Sequence, residues 1–275
     1  MKPERETFVA FFFTLSLSLA AGVWFGSYSL DFFRLTQKNM AAAIEAIPAA
    51  REGVRVPILV YHSVRPHIAG ESSYQETYDI TPELLRKHLI YLKENEYTAI
   101  SFNTLADRFD KGILLPEKPI ILTFDDGWKN QYEYAFPLLR EFHTTATFFI
   151  FTNAVNRGHH ITWGQLREMR DAGISIEAHT KTHPYLKKIN DTEELSREIA
   201  GSKKILEEEL GIAVTSFAYP FGQYDDVSIA KVKESGFRAA RSLRAGVMQN
   251  ESERYILRAS LATDNFEEFK RFLEK

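Results

Sequence analysis

The amino-acid sequence predicts an α/β fold in which about seven parallel strands form a closed or nearly closed barrel. From Val54 onward, short apolar segments alternate with longer segments of helical periodicity, a pattern that is typical of a parallel sheet. The apolar segment 120–124 is continuously hydrophobic, as expected of a strand that is covered on both faces. A doubly wound open sheet is the alternative to the barrel.

The first 34 residues predict a membrane anchor or a signal segment. Residues 7–30 contain no charged side chain, and phenylalanine, leucine, alanine and valine dominate them. A bilayer core takes about 20 apolar residues to cross, so this stretch is long enough. Its length and continued apolarity favour an uncleaved transmembrane helix over a signal peptide that is cleaved near Ala20. Both interpretations place the rest of the chain outside the cytoplasm: anchored at the periplasmic or cell-surface face, or secreted after cleavage.

Residues 35–53 are a predicted spacer, and residues 54–275 are the predicted globular domain. Capping residues and periodicity predict helices after Thr81, after the strand at 120–124, after Thr162, after Asp191 or Thr192, and after Asp264. Strands are predicted at residues 56–61, 98–102, 120–124, 146–151, 174–178, 214–219, 237–241 and 256–260.

The amino-acid composition argues against nucleic-acid binding and excludes cysteine chemistry. The formal net charge is -3, and nothing suggests the concentrated basic surface that a nucleic-acid partner would need. The chain has no cysteine, so disulfides and thiolate metal sites are excluded. Any metal ion must be bound by histidine, aspartate or glutamate.

Two pairs of polar residues follow predicted strands, where parallel α/β folds form their active sites. Asp125 and Asp126 follow one strand, and His179 and His183 follow another. Adjacent side chains diverge, so one carboxylate can bind a metal ion while its neighbour faces a substrate. Taken alone, the Asp-Asp-Gly tripeptide is more often a helix cap, and two histidines can be surface residues. Their shared position at strand ends favours the standard ligand set of two imidazoles and one carboxylate.

Three motifs occur in order along the chain, and together they resemble those of a known enzyme family. They are Thr123-Phe124-Asp125-Asp126-Gly127, His179-Thr180-Lys181-Thr182-His183 and Tyr219-Pro220-Phe221-Gly222. The set is similar to that of the NodB-type polysaccharide deacetylases, carbohydrate esterase family four, and the resemblance extends over residues 56–260. Residues 57–64 resemble the opening of the subgroup that acts on exported poly-N-acetylglucosamine.

The resemblance implies a distorted (β/α) barrel and a role for each matching residue. Asp125 would be the catalytic base. Asp126, His179 and His183 would bind the metal ion, typically Zn²⁺, with Co²⁺ or Ni²⁺ as alternatives.

The third motif and two tryptophans are candidates for contacts with the reacting group or the sugar. A turn such as Tyr219-Pro220-Phe221 can aim a backbone N–H at a developing oxyanion, and the resemblance implies that Phe221 supplies it. Trp128 and Trp163 suit the apolar face of a pyranose, and core packing explains each of them equally well.

The sequence departs from the family at two positions. The family carries an arginine two residues before the proline of the third motif, where this chain has Ala218; we expect Arg258 to replace it in orienting Asp125. The usual C-terminal Leu-x-His motif is absent, and no histidine follows His183. In the poly-N-acetylglucosamine subgroup an N-terminal strand supplies this general acid, which predicts that role for His62. A buried histidine bonded to a carbonyl group is the alternative for His62.

The sequence therefore predicts a metal-dependent enzyme that removes N-acetyl groups from an extracytoplasmic polysaccharide containing N-acetylglucosamine, tethered to the membrane through its N-terminal helix. Peptidoglycan, chitin oligomers and acetylated xylan are alternative substrates for the same machinery. A different class is a catalytically degenerate, membrane-tethered glycan-binding protein, which the missing arginine at position 218 supports. This class is less favoured, because a binding module has no need of both aspartates and both histidines.

Overall fold

The computed structural model describes residues 53–67, 70 and 78–274 of the 275-residue chain. The predicted N-terminal helix and nearly all of the predicted spacer lie outside the described residues. Among the described residues, no helix combines the length and the apolar character needed to cross a membrane.

The described residues form short strands and seven α-helices. The strands are β1 Val54–Arg55, β2 Ile58–Tyr61, β3 Ser63–Val64, β4 Asp79–Ile80, β5 Thr98–Ala99, β6 Pro119–Asp125, β7 Thr147–Ile150, β8 Ser175–Ala178, β9 Ser216–Ala218, β10 Ala239–Arg241, β11 Met248–Gln249 and β12 Ser260–Leu261. The helices are α1 Pro82–Glu94, α2 Phe102–Lys111, α3 Phe136–Glu141, α4 Trp163–Asp171, α5 Thr192–Leu210, α6 Asp226–Glu234 and α7 Phe266–Glu274. A π-helix, Gln131–Ala135, leads into α3.

Seven parallel strands form one sheet in the order β10-β9-β8-β7-β6-β2-β12, and β5 pairs with β6 beside this path. Arg241, at the end of β10, also forms an isolated parallel bridge with Leu257, shortly before β12. The segment that contains Leu257 therefore pairs with one edge of the sheet before it continues into the strand at the other edge. The predicted α/β class is confirmed, and the curled sheet is consistent with a distorted barrel.

Alternate residues of each strand contribute to two separate hydrophobic layers. In β2, Ile58 and Val60 belong to one layer, whereas Leu59 and Tyr61 belong to the other. The first, which we call the inner layer, also contains Ile121 of β6. The second, the outer layer, contains most of the buried helix residues that cover the sheet. The period of two in a strand therefore decides which side chains can reach the interior of the curled sheet.

The same alternation determines which residues at the ends of the strands face the interior of the curled sheet. Ile121 is in the inner layer and Phe124 is in the outer layer, so Asp125 faces inward. In β9, Ala218 is in the inner layer, and Tyr219, just after the strand, is in the outer layer.

The predicted strand at 98–102 is wrong in its second half. The strand ends at Ala99, because Ser101 caps α2 by accepting a hydrogen bond from the backbone N–H of Thr104 at 3.1 Å. Phe102 and Leu105 of this helix then pack in the inner layer. The helix was absent from the sequence prediction.

Helix starts were predicted well where a polar cap precedes the helix. Thr81 accepts from the backbone N–H of Leu84, Thr162 forms a capping box with Gln165, and Asp191 caps α5.

Candidate metal and catalytic site

The three predicted metal-binding side chains lie together beyond the carboxyl ends of β6 and β8. Oδ1 of Asp126 is 3.6 Å from Nε2 of His179 and 3.3 Å from Nε2 of His183. One potential ligand atom from each residue lies within 4.8 Å of the other two. One tetrahedral ion with bonds of about 2.1 Å can contact three atoms at such separations.

The protonation pattern of these groups fits a divalent cation. Nδ1 of His179 is 2.7 Å from the carbonyl oxygen of Ala218, so Nδ1 carries the proton and Nε2 presents a lone pair. Burial lowers the pKa of His179 to about 3 and also lowers the pKa of His183, so both rings are neutral at pH 7. Oδ1 of Asp126 is buried and accepts no hydrogen bond from the described residues. Electron-rich atoms that face one another without a donor are stabilised by a cation between them.

Trp128 orients the carboxylate of this set. Its Nε1 donates to Oδ2 of Asp126 at 3.2 Å, and its ring stacks on His160 at a centroid distance of 4.5 Å. With Oδ2 occupied in this way, Oδ1 is left to face the histidines. The structure thus places Trp128 beside the site, and its predicted contact with a sugar stays a prediction.

The backbone around the site is held in an unusual conformation. Seven described non-glycine residues have a positive φ, and four of them are Asp126, Thr180, His183 and Phe221. Left-handed backbone costs about 1–2 kcal/mol per residue outside glycine and persists where the surrounding structure fixes it. Four such residues lie close to the three metal-binding side chains, which points to a functional constraint on this part of the backbone.

Asp125 lies between the metal-binding residues and a buried arginine. Nη2 of Arg241 donates to Oδ2 of Asp125. The same oxygen is 3.9 Å from Nε2 of His179. Burial acts most strongly and would raise the pKa of Asp125, but the charge of and hydrogen bond from Arg241, together with His179 and His62, hold the pKa below its ordinary value. Oδ1 of Asp125 is buried and accepts no hydrogen bond from the described residues. The ionised carboxylate therefore has one oxygen free to accept a proton.

The prediction that Arg258 orients Asp125 is wrong. Leu257 and Ala259 belong to the inner layer, so Arg258 points away from the interior. Its Nη2 lies 3.2 Å from Oε2 of Glu253.

Arg241 makes the contact with Asp125 because of its position in the sheet. Ala239 is in the inner layer, so Arg241, two residues later on β10, also points inward. Arg241 is the register partner of Ala218 on the neighbouring strand β9. An arginine therefore reaches Asp125 from the strand next to position 218, where the resemblance leads us to expect one. Sequence reasoning missed Arg241, although an arginine that ends an apolar strand was a signal.

His62 follows β2 and approaches the same oxygen of Asp125 as Arg241 and His179 do. Its Nε2 is 3.9 Å from Oδ2 of Asp125, and its side chain is 17% exposed. The side-chain amide of Gln131 donates to the carbonyl oxygens of both His62 and Asp125, which ties the ends of β2 and β6 together. His62 is therefore accessible and close to the carboxylate, as a proton donor must be, and its role as general acid stays a prediction.

The third motif contributes a turn beside the metal-binding residues, but not all of its side chains face them. The ring of Phe221 lies 4.6 Å from that of His183 and is 44% exposed. Tyr219 is fully buried in the outer layer and Pro220 is also buried, so their side chains pack in the protein interior, and a contact of this turn with the oxyanion or the substrate stays a prediction for its backbone. A Cβ at Gly222 would lie 2.7 Å from the backbone nitrogen of Leu243, so this turn requires glycine.

Trp163 packs against the outer layer, which is the alternative to a sugar contact for this residue. It begins α4 and is half-buried against the outer layer. None of the contacts that the described residues give it reaches the three metal-binding side chains.

Together, the curled parallel sheet and the cluster at its carboxyl end define a class of α/β enzyme whose site can bind a divalent cation between one carboxylate and two imidazoles. Residues 114–240 match the family described as Polysaccharide deacetylase. This match confirms the predicted resemblance to polysaccharide deacetylases and the predicted enzyme class.

Similar proteins agree with this assignment. The poly-beta-1,6-N-acetyl-D-glucosamine N-deacetylase of Staphylococcus epidermidis is 26% identical over 231 residues, which cover 76% of this chain and 80% of that protein. Bacillus subtilis YxkH is 27% identical over 203 residues, which cover 74% of this chain and 70% of that protein. The structure of the Streptococcus pyogenes deacetylase PplD in complex with acetate shares the fold, with a TM-score of 0.76 and 24% identity over 81% of this chain and all of that one.

Proposed function

We propose that this protein is a metal-dependent deacetylase that removes N-acetyl groups from a poly-N-acetylglucosamine outside the cytoplasm. The observation that carries the proposal is the convergence of Asp126, His179 and His183 beside the buried carboxylate of Asp125. The substrate class is supported by the N-deacetylase of Staphylococcus epidermidis that this chain resembles along most of its length.

Asp126, His179 and His183 would hold the cation, with Zn²⁺ favoured by the mixed nitrogen and oxygen ligands and Co²⁺ or Ni²⁺ as alternatives. When bound, such an ion supplies a Lewis acid that polarises a carbonyl group and lowers the pKa of water towards about 7. Trp128 keeps the Asp126 carboxylate turned so that Oδ1 faces the histidines.

Asp125 acts as the general base in this proposal. Arg241 keeps its carboxylate ionised at neutral pH, and Oδ1 is free to take a proton from the attacking water. The backbone N–H of Phe221, in its left-handed turn, would donate to the oxyanion that develops on the acetyl oxygen.

His62 acts as the general acid. An amide anion is too poor a leaving group to be expelled, so the sugar nitrogen must receive a proton as the C–N bond breaks. His62 lies beside Asp125 with a partly exposed ring, in a position to deliver that proton. The products are acetate and a polymer in which the deacetylated hexosamine residue carries a free amino group.

The extracytoplasmic location is part of the proposal. It is supported by the uncharged apolar stretch at residues 7–30, which is long enough to anchor the chain in a membrane. Fractionation of cells, with protease added from the outside, would test both the location and the anchor.

The decisive experiment measures acetate release from a panel of glycans, with and without a chelator. The panel comprises poly-N-acetylglucosamine, peptidoglycan, chitin oligomers and acetylated xylan. We expect release from poly-N-acetylglucosamine that chelation abolishes and that added Zn²⁺, Co²⁺ or Ni²⁺ restores. Release from another polymer instead would overturn the substrate assignment, and activity that survives complete removal of metal would overturn the metal dependence.

Variants assign the two proton-transfer roles. Asp125→Asn and His62→Ala should each lower kcat by about 10²- to 10⁴-fold, the range of general acid–base catalysis, while metal binding persists. The matched control is His159→Ala, which removes an exposed histidine and should leave kcat unchanged. A His62→Ala enzyme with wild-type kcat would show that another group protonates the amine.

A further inference from the structure

The loop that joins the two metal-binding histidines, residues 179–183, is held by a buried glutamate from a distant helix. Oε2 of Glu198, on α5, accepts hydrogen bonds from the backbone N–H groups of Lys181 at 2.9 Å and Thr182 at 2.8 Å. Its Oε1 accepts from the hydroxyl of Thr182 at 2.7 Å. Glu198 is only 7% exposed. Both carboxylate oxygens are therefore used on the two residues that immediately precede His183.

The opposite side of this loop is held by backbone groups. The N–H of Thr152 donates to the carbonyl oxygen of Thr180 at 3.2 Å, and the N–H of Asn153 donates to that of Lys181 at 2.9 Å. Glu198 thus opposes these contacts from the other side, and the loop is fixed between them.

His179 and His183 depend on this loop to different degrees. His179 directly follows β8, and its ring is held by the carbonyl oxygen of Ala218. The backbone of His183 has a φ of 62°, and its N–H donates to the hydroxyl of Thr180, which itself has a φ of 70°. A left-handed backbone at two residues of one short loop has to be maintained by outside contacts.

We infer that Glu198 is a positioning residue that sets the metal affinity by fixing His183 opposite Asp126. This inference rests on the proposed metal-dependent function. Charge-assisted hydrogen bonds from backbone N–H groups are stronger than neutral ones, and a buried carboxylate with three donors is a rigid support. Groups that orient metal ligands in this way typically change metal affinity by 10- to 100-fold when they are removed.

The test compares Zn²⁺ affinity with the stability of the metal-free protein. Wild type, Glu198→Ala, Glu198→Gln and Thr182→Val would be titrated with Zn²⁺ against a competing chelator at one pH, and the Tm of each metal-free form would be measured. Glu208→Ala is the matched control, since Glu208 lies on the same helix and its side chain is 64% exposed. We expect Kd to rise on the order of 10- to 100-fold in Glu198→Ala, less in Glu198→Gln and Thr182→Val, and not at all in the control.

A purely structural role gives a different result. If Glu198→Ala lowers the Tm of the metal-free protein but leaves the Kd for Zn²⁺ within about twofold of wild type, Glu198 supports the fold only and the inference is wrong. If Glu198→Ala does not fold, the same criterion applies to Glu198→Gln and Thr182→Val: a Kd for Zn²⁺ within about twofold of wild type in both variants would show that the inference is wrong.

Failure of the proposed function is recognised separately. His183→Ala should abolish tight Zn²⁺ binding whatever Glu198 does. A wild-type protein that binds no Zn²⁺, Co²⁺ or Ni²⁺ would overturn the metal site and this inference with it. Tight wild-type binding that is insensitive to Glu198 would overturn the inference alone.

Discussion

At the scale of single residues, the pairing of Asp125 with Arg241 influences the protonation state of Asp125, the proposed general base. Both side chains are buried, and the charge of Arg241 counters the effect of burial on the Asp125 carboxylate. An Arg241→Met variant leaves that carboxylate buried without its partner, which should cost about 3–5 kcal/mol of stability. Only His179 and His62 then oppose the effect of burial, so the pKa of Asp125 should rise and the acid limb of the pH profile of kcat/KM should move to higher pH. Denaturant unfolding and pH–rate measurements test the two effects.

Arg258→Met is the control for this variant. Its guanidinium pairs with Glu253 near the surface, where such a pair is worth about 0–1 kcal/mol. The control should keep both the wild-type stability and the wild-type pH profile. If the pH profile of kcat/KM shifts in Arg258→Met and not in Arg241→Met, Arg258 orients Asp125, as the sequence analysis predicts.

The residues of the site were predictable from the sequence to different extents. Asp126, His179 and His183 could be found because each follows a strand whose apolar run is visible in the sequence. Arg241 could not be assigned, because its approach to Asp125 depends on the register of β10 against β9. Glu198 was missed for a similar reason: its contact with Thr182 requires α5 to fold back over the histidine loop.

At the scale of secondary-structure elements, a neutral histidine links α1, β2 and α7. His88 is fully buried, with Nδ1 3.1 Å from the hydroxyl oxygen of Tyr61 and its ring stacked on Phe269 at 3.9 Å. Burial lowers the pKa of His88 to about 3, from an ordinary value of 6.5. The unfolded chain therefore binds a proton at this residue below about pH 6.5, whereas the folded chain does so only near pH 3. Protonation favours the unfolded state, so this part of the stability is lost as the pH falls through that window.

Replacement of this histidine should flatten the acid dependence of stability. His88→Gln keeps a polar partner for Tyr61 and does not titrate. Between pH 6.5 and 5 the wild type should lose about 2 kcal/mol more than the variant in the free energy of unfolding. Urea unfolding at both pH values measures this difference, and exposed His159→Gln serves as the control. Equal pH dependence in wild type and His88→Gln would show that His88 titrates normally in the folded protein.

The elements themselves were predictable where local signals are strong. Thr81 and Thr162 mark helix starts because their side chains cap free backbone N–H groups, a purely local interaction. Helix α2 was missed because its apolar residues follow the short strand β5 almost directly, and the boundary is marked only by Ser101. Strand β12 starts at Ser260, four residues later than predicted, because its length is set by pairing with β2 rather than by its own composition.

At the scale of the whole molecule, a cation bound by three residues from two different loops should stabilise the fold. Asp126 follows β6, whereas His179 and His183 follow β8, so a shared ion links two parts of the sheet. A ligand that binds only the folded state adds about 2.7 kcal/mol at a free concentration of 100 times its Kd. We expect Zn²⁺ to raise the Tm, a chelator to reverse the rise, and His183→Ala to abolish it. Calorimetry with and without metal tests this, and an equal rise in His183→Ala would place the ion elsewhere.

The register match between Arg241 and Ala218 also affects how relatives of this enzyme are recognised. Because the two positions are register partners on adjacent strands, an arginine at either one would start from the same level of the sheet as it extends towards Asp125. A sequence alignment compares one position at a time, so it would record a missing motif in a chain that carries this arginine on the neighbouring strand. Searches based on the spatial arrangement of functional groups would retain it.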